Sequence, residues 1–172
     1  MLSGEYKNIL VVKPSSLGDI VQCVGVLSLI KARWPKARIS WFINSQYQTL
    51  LEGHPLIDEL ISFDRDAWKE KSGFLTNLKN YMRLVRGLRE REFDLAIDLQ
   101  GLFRSGLISF LSGARKRAGF KGGKEFAGIF YTDRIRINSL LAAQRAIDLV
   151  SDVTGRKGPL DPRLSISAAD FE

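Results

Sequence analysis

The run Ile9-Leu10-Val11-Val12, halted by Lys13-Pro14-Ser15-Ser16-Leu17-Gly18-Asp19, constrains this chain more than any other stretch. Four apolar, mostly β-branched residues in a row suit a parallel strand covered on both faces. Pro14 lacks the ladder donor and presses Lys13 toward extended geometry, so the strand ends there. Gly18 is open to backbone angles closed to other residues, and Asp19 is a good N-cap for the apolar helix that follows. The turn therefore stands at the carboxyl end of the first strand, where open α/β sheets place their chemistry. Residue type alone leaves Asp19 two compatible roles: a helix cap, or a carboxylate aimed into a cleft as a general base. Ser15, Ser16 and free N–H groups at the helix start suit an anion. Neither G-x-G-x-x-G nor G-x-x-x-x-G-K-[ST] occurs, so the usual dinucleotide and P-loop readings do not apply.

Downstream, strands alternate with helices. Hydrophobic period and breakers predict strands over 37–43, 59–63 and 93–99, a short one ending at Phe120, and an extended stretch over 130–137. Helices are predicted over 20–33, stopped by Trp34-Pro35, and over 45–52, 75–92, 102–112 and 140–154. In the long helix Leu78, Tyr81, Met82, Val85 and Leu88 share a face, with Lys79, Arg83 and Arg86 opposite as a solvated face. In the last helix Leu140, Ala143, Ile147 and Val150 share a face. This alternation means an α/β fold: a Rossmann-like open parallel sheet with right-handed crossovers and helices on both faces. Residues 1–154 form one such domain, and 155–172, with glycine, prolines and no strong period, read as the start of a linker.

Composition narrows the class. Cys23 is the only cysteine and sits among Val21, Val24 and Val26, which places it in the core and the chain in a reducing compartment. One histidine and one cysteine do not make a zinc site, and no metal is expected. The first residues lack the apolar core of a signal peptide, and no run reaches the roughly eighteen apolar residues of a membrane span, so a cytoplasmic location is expected. The net charge of +7 attracts a phosphorylated substrate, an anionic membrane or nucleic acid. Nucleic acid is the weakest of the three, since no DNA-binding motif or interleaved exposed aromatics are present. The loop Lys121-Gly122-Gly123-Lys124 reads as a plain surface loop or as an anion site.

Five stretches, in this order and spacing, resemble the ADP-heptose:lipopolysaccharide heptosyltransferases over about residues 8 to 165. They are Lys13 to Ile20, Gly53-His54-Pro55 with Ile57-Asp58-Glu59, Phe93 to Leu102, Arg104-Ser105-Gly106, and Arg117-Ala118-Gly119-Phe120. The resemblance implies a GT-B arrangement, two Rossmann-like domains facing each other across a cleft. The amino-terminal domain holds the acceptor and the carboxyl-terminal domain the ADP-sugar. This chain matches the amino-terminal half; the family's donor-side D-T/S-G-x-x-H turn has no counterpart in it.

Carried over by residue, the resemblance makes Asp19 the catalytic base, with Lys13, Ser15, Ser16 and Gly18 forming the turn around it. Gln100 and Gly101 become a second cleft-facing turn. Arg65 and Lys69 fall in the loop where the family gathers cations around the acceptor's acidic sugars, and Lys121 and Lys124 are further candidate contacts. Near Arg145 some members place a histidine. No cofactor is implied beyond the donor substrate ADP-heptose. The implied partner is the lipopolysaccharide inner core, whose Kdo carboxylates and phosphates suit a basic domain, with peripheral contact at the cytoplasmic membrane face. By itself the amino-terminal half is expected not to transfer sugar. A different class of reading stays open from the residues: a stand-alone flavodoxin-like anion or nucleotide-binding module, with Ser15-Ser16-Leu17-Gly18 as its phosphate turn and no catalysis.

Overall fold

Ile9, Leu10, Val11 and Val12 have no exposed surface, and the sheet extends outward from them. The computed structural model describes residues 1–64, 74–122 and 124–158, with the backbone alone at 74–78. β1 (Asn8–Val12) pairs with β2 (Arg38–Asn44) on one side and β4 (Leu95–Asp98) on the other. β3 (Glu59–Phe63) lies outside β2, and β5 (Lys116–Phe120) and β6 (Asp133–Ile135) lie beyond β4. The order is β3-β2-β1-β4-β5-β6, and every pairing is parallel.

Strand alternation divides the core into two layers. Ile9 and Val11 pack with α1 (Leu17–Cys23), α2 (Val26–Arg33) and α5 (Ala142–Thr154). Leu10 and Val12 pack on the other face, with Leu88 of α3 (Phe74–Glu90) and Ile108 of α4 (Phe103–Leu111). Each such side chain contributes about 1.5–3 kcal/mol by leaving water. The sheet runs to β2 and β3 on one side of β1 and to β4, β5 and β6 on the other. Connections leaving the carboxyl ends of β1 and β4 therefore diverge, and a crevice opens between them.

Several elements differ from the sequence pattern for local reasons. The apolar run 20–33 is two helices, joined by short bonds from Leu27 N to Val24 O (3.1 Å) and Ser28 N to Gly25 O (3.3 Å). The Ser28 hydroxyl also donates to Gly25 O at 2.7 Å, competing with the helical ladder there. The 45–52 helix is a 3₁₀ stretch, Ser45–Leu50. In α3 the buried stripe runs through Leu84 and Leu88, and Met82 stands exposed because residues two apart do not share a helix face. Phe130 belongs to a 3₁₀ stretch, Lys124–Phe130, rather than to the strand after it. Leu140 lies ahead of α5 and is exposed; the helix buries Ala146, Leu149, Val150 and Val153 instead. α5 closes on Gly155 in a left-handed conformation, φ 67°.

Two acids from the motif stretches serve the sheet. Asp94 Oδ2 accepts from Lys7 N (2.8 Å) and Asn8 N (3.0 Å), and Asp58 Oδ2 from Ile39 N (2.8 Å) and Lys31 Nζ (3.3 Å). Both hold the amino ends of strands, opposite the crevice. Cys23 is buried as expected, and burial pushes its thiol up to about 11.

Candidate active site

The turn after β1 is pinned from below. Trp41 Nε1 donates to Lys13 O at 3.1 Å, and Asn44 N donates to Pro14 O at 3.1 Å. Ser16, not Asp19, is the N-cap of α1: its backbone is extended and its carbonyl accepts from Ile20 N at 2.9 Å. Asp19 sits one turn in, and its Oδ2 accepts from Ser16 N at 3.4 Å, the return half of a capping box. The same oxygen accepts from Lys13 Nζ at 3.3 Å. The Lys13 side chain is 5% exposed and that of Asp19 34%, so the cation is enclosed while the carboxylate still faces out. Gly18 does not take the left-handed angle expected of it; a Cβ there would meet nothing within 4 Å, so its effect is to leave the helix start open.

Burial pushes the Asp19 carboxyl up, but the Lys13 ammonium and the Ser16 N–H outweigh it and hold the group below its usual 3.8. The carboxylate is therefore ionised at neutral pH. Because the folded value is the lower, the pair's stabilisation is present above the unfolded value and lost as the pH falls through the folded one. Lys13→Met, similar in length but without charge, should move the Asp19 titration upward in carboxyl-detected NMR. An unchanged titration would mean that Lys13 does not set it.

The second turn is shaped by a carboxylate that the sequence showed only as part of a strand. Asp98 is fully buried at the end of β4. Its Oδ1 accepts from Gln100 N (2.8 Å) and Gly101 N (3.1 Å), and its Oδ2 from the Tyr131 hydroxyl at 2.6 Å. Burial pushes the Asp98 carboxyl up, against these donors, and burial with Asp98 beside it also pushes the Tyr131 hydroxyl up. Gly101 adopts φ 71°, and a Cβ there would stand 2.7 Å from the Phe120 ring. Gly119 is tighter still, since its Cβ would lie 2.4 Å from the Tyr131 ring. At the start of α4, Leu102 N donates to Ser105 Oγ at 3.1 Å.

Between the two turns lies a cleft of about 330 Å³. Lys13, Asp19, Gln100, Gly101 and Lys124 line it, which brings together five of the sequence candidates from β1, β4 and the loop after β5. Gln100 Oε1 is buried with no hydrogen-bond partner among the described residues. Ser15 and Ser16 flank the first turn without lining the cleft, and Lys121 is exposed outside it. Arg65 and Lys69 lie outside the described residues. Arg145 was not among the candidates, yet it lines the cleft with its guanidinium 4.7 Å from the Phe120 ring centre. Among the described residues no three His, Cys, Asp or Glu side chains group to hold a metal ion, and no helix is long and apolar enough to cross a membrane.

A family model described as glycosyltransferase family 9 (heptosyltransferase) matches residues 81–172, more than half of the chain. The chain belongs to glycosyltransferase family 9. Lipopolysaccharide heptosyltransferase 1 of Campylobacter coli is 30% identical to it over 133 residues, covering 76% of this chain and 36% of the relative. Lipopolysaccharide heptosyltransferase 2 of Escherichia coli K12 is 29% identical over 114 residues, 66% of this chain and 31% of the relative. The chain spans about a third to a half of the length of the curated relatives it matches. Among solved structures, E. coli heptosyltransferase WaaC with ADP-2-deoxy-2-fluoro heptose superposes with a TM-score of 0.79 at 20% identity, covering 88% of this chain and 50% of that one. E. coli ADP-heptose lps heptosyltransferase II gives 0.73 at 24%, covering 95% and 48%. The family-9 chain thus has the α/β fold of one half of these GT-B enzymes.

Proposed function

We propose that this chain is the acceptor side of a glycosyltransferase that moves heptose from ADP-heptose to the inner core of lipopolysaccharide, with Asp19 as general base. Residues 1–154 form the acceptor domain and 155–172 begin the connection to a donor-binding domain. One observation carries the reading: an ionised, partly exposed Asp19 faces the Gln100–Gly101 turn across the crevice between β1 and β4.

A sugar hydroxyl ionises far above neutral pH, so it attacks only as its proton leaves. Asp19 takes that proton while the new C–O bond forms at the anomeric carbon and the bond to the diphosphate oxygen of ADP breaks. A positioned carboxylate supplies about 10²–10⁴-fold. Lys13 keeps the base ionised and oriented. The orphaned Gln100 Oε1 accepts from an acceptor hydroxyl, and Lys124 and Arg145 meet acidic groups of the acceptor. We also assign Arg65, Lys69 and Lys121 to acceptor binding, and Ser15, Ser16 and Gly18 to the turn that carries the base. The working site is the cytoplasmic face of the inner membrane, in peripheral contact with it.

The test is transfer of labelled ADP-heptose to heptose-deficient lipopolysaccharide by the two-domain enzyme. Incorporation of label into the acceptor is the expected result; release of free heptose only, or no reaction, overturns the reading. The 172-residue chain alone is expected to transfer orders of magnitude more slowly, since orientation of both substrates contributes about 7–11 kcal/mol in favourable cases.

A further inference from the structure

One surface feature has no part in the cleft chemistry. α4 and the 3₁₀ stretch Lys124–Phe130 pack together closely enough that a Cβ on Gly106 would stand 2.9 Å from the Phe130 ring and 3.1 Å from Ala127 O. On this platform the Phe130 ring lies 5.1 Å from Phe103 and 6.0 Å from Phe110. The rings continue outward rather than inward. Phe103 is 40% exposed, Phe110 48%, Ile129 62% and Phe126 83%. Large apolar side chains grouped at the surface mark an interaction site. Glu125 and Phe126 are both held at positive φ, 55° and 62°, a conformation unfavourable to either residue type, and the result is a ring turned into water.

Charge identifies what the patch fits. Residues 101–137 hold eight lysines and arginines against two acids, so they carry +6 of the chain's +7. Arg104 is exposed beside Phe103, and the Arg117 guanidinium lies 5.5 Å from the Phe110 ring centre. Aromatic and aliphatic tips with Arg104 and Arg117 beside them match the interface of an anionic bilayer, where the apolar groups enter the headgroup boundary and the cations meet lipid phosphates. The patch is also continuous with the site. Lys124 opens the 3₁₀ stretch and Leu102 precedes α4, and both line the cleft.

We propose that Phe103, Phe110, Phe126 and Ile129, with Arg104, Arg117 and Lys124, form a docking surface for an anionic lipid membrane. It places the cleft at the bilayer surface. Its purpose rests on the proposed function, since it would present a lipid-linked acceptor to Asp19; its chemistry rests on the patch alone.

The experiment is vesicle flotation of the full chain with phosphatidylglycerol/phosphatidylethanolamine vesicles and with pure phosphatidylcholine vesicles, for the parent and for F126S/I129S. Both substituted side chains point into water, so the variant should fold like the parent; equal thermal midpoints check this. The parent is expected to float with the anionic vesicles at least tenfold more than with the neutral ones, and to release at about 0.5 M salt. The variant should lose at least tenfold of that binding. Equal partition to both vesicle types, or unchanged binding of the variant, overturns the proposal. So does protection of Phe126 and Ile129 from hydroxyl-radical labelling without vesicles, which would mean that protein covers the patch. A transfer assay on the two-domain enzyme separates the two readings. Patch-dependent flotation without transfer to any acceptor removes the function and keeps the surface. Transfer to vesicle-embedded acceptor that is indifferent to F126S/I129S removes the surface and keeps the function.

Discussion

Asp19→Asn in the two-domain enzyme is expected to lower kcat by about 10²–10⁴-fold while acceptor KM and thermal midpoint stay near the parent values. The amide oxygen can still accept from Ser16 N and from Lys13 Nζ, so the helix start and the buried cation keep their partner. The capacity to take a proton is lost together with the negative charge beside Lys13, while the hydrogen-bond geometry is kept. Near-normal turnover of this variant would reduce Asp19 to the capping-box residue it also is. The geometry changes what the more drastic substitution reports. With Lys13 only 5% exposed, Asp19→Ala leaves an enclosed ammonium without its carboxylate, so a loss of activity there mixes chemistry with instability. Asn separates the two.

The second large effect is on stability. Gly119→Ala should cost about 2–6 kcal/mol and lower the thermal midpoint by roughly 5–20 °C. The added methyl would overlap the Tyr131 ring at 2.4 Å, and Tyr131 is buried against the neighbouring strand. Overpacking alone costs about 1–3 kcal/mol. Moving the ring also withdraws the hydroxyl from Asp98, leaving a buried carboxyl short of a donor at a further cost of about 1–3 kcal/mol. Tyr131→Phe isolates that second part, since it keeps the ring and removes only the hydroxyl. A Gly119→Ala midpoint within a degree or two of the parent would mean that the ring shifts freely and that the Asp98 network is not rigid.

How far the sequence could be read follows from the range over which each feature is encoded. The β1 run, its Pro14 stop and the strand–helix alternation are local, and they led to the sheet, its parallel sense and the first turn. Local reading also over-assigned. Asp19 is a good N-cap by type, but Ser16 three residues earlier completes a capping box with it, and that box decides where α1 begins. Gly18 suggested a special backbone angle and instead gives open space. Met82 and Leu140 fitted apolar faces by count alone; Met82 stands in water because the buried stripe of α3 runs through Leu84 and Leu88, and Leu140 because α5 begins only at Ala142. What stayed hidden is long-range. Asp98 and Tyr131 are 33 residues apart and meet only because Gly119, on β5, has no side chain. Arg145 reaches the cleft by stacking on Phe120 from α5, and only the resemblance, through the histidine some members place near it, points to the position. The motif residues do not all serve the crevice. Those around Asp19 and Gln100 stand at carboxyl ends of strands, whereas Asp58 and Asp94 hold amino ends.

We propose that the cleft between the β1 and β4 turns receives the acceptor. This is tested most directly by titrating the ¹⁵N-labelled chain with a phosphorylated Kdo fragment and following the backbone amides. The expected result is saturable shifts concentrated at Gly18, Asp19, Gln100, Gly101, Lys124 and Arg145, with an affinity that falls as salt is raised. Shifts confined to other parts of the sheet, or the same cleft shifts produced by ADP-heptose alone, would contradict it.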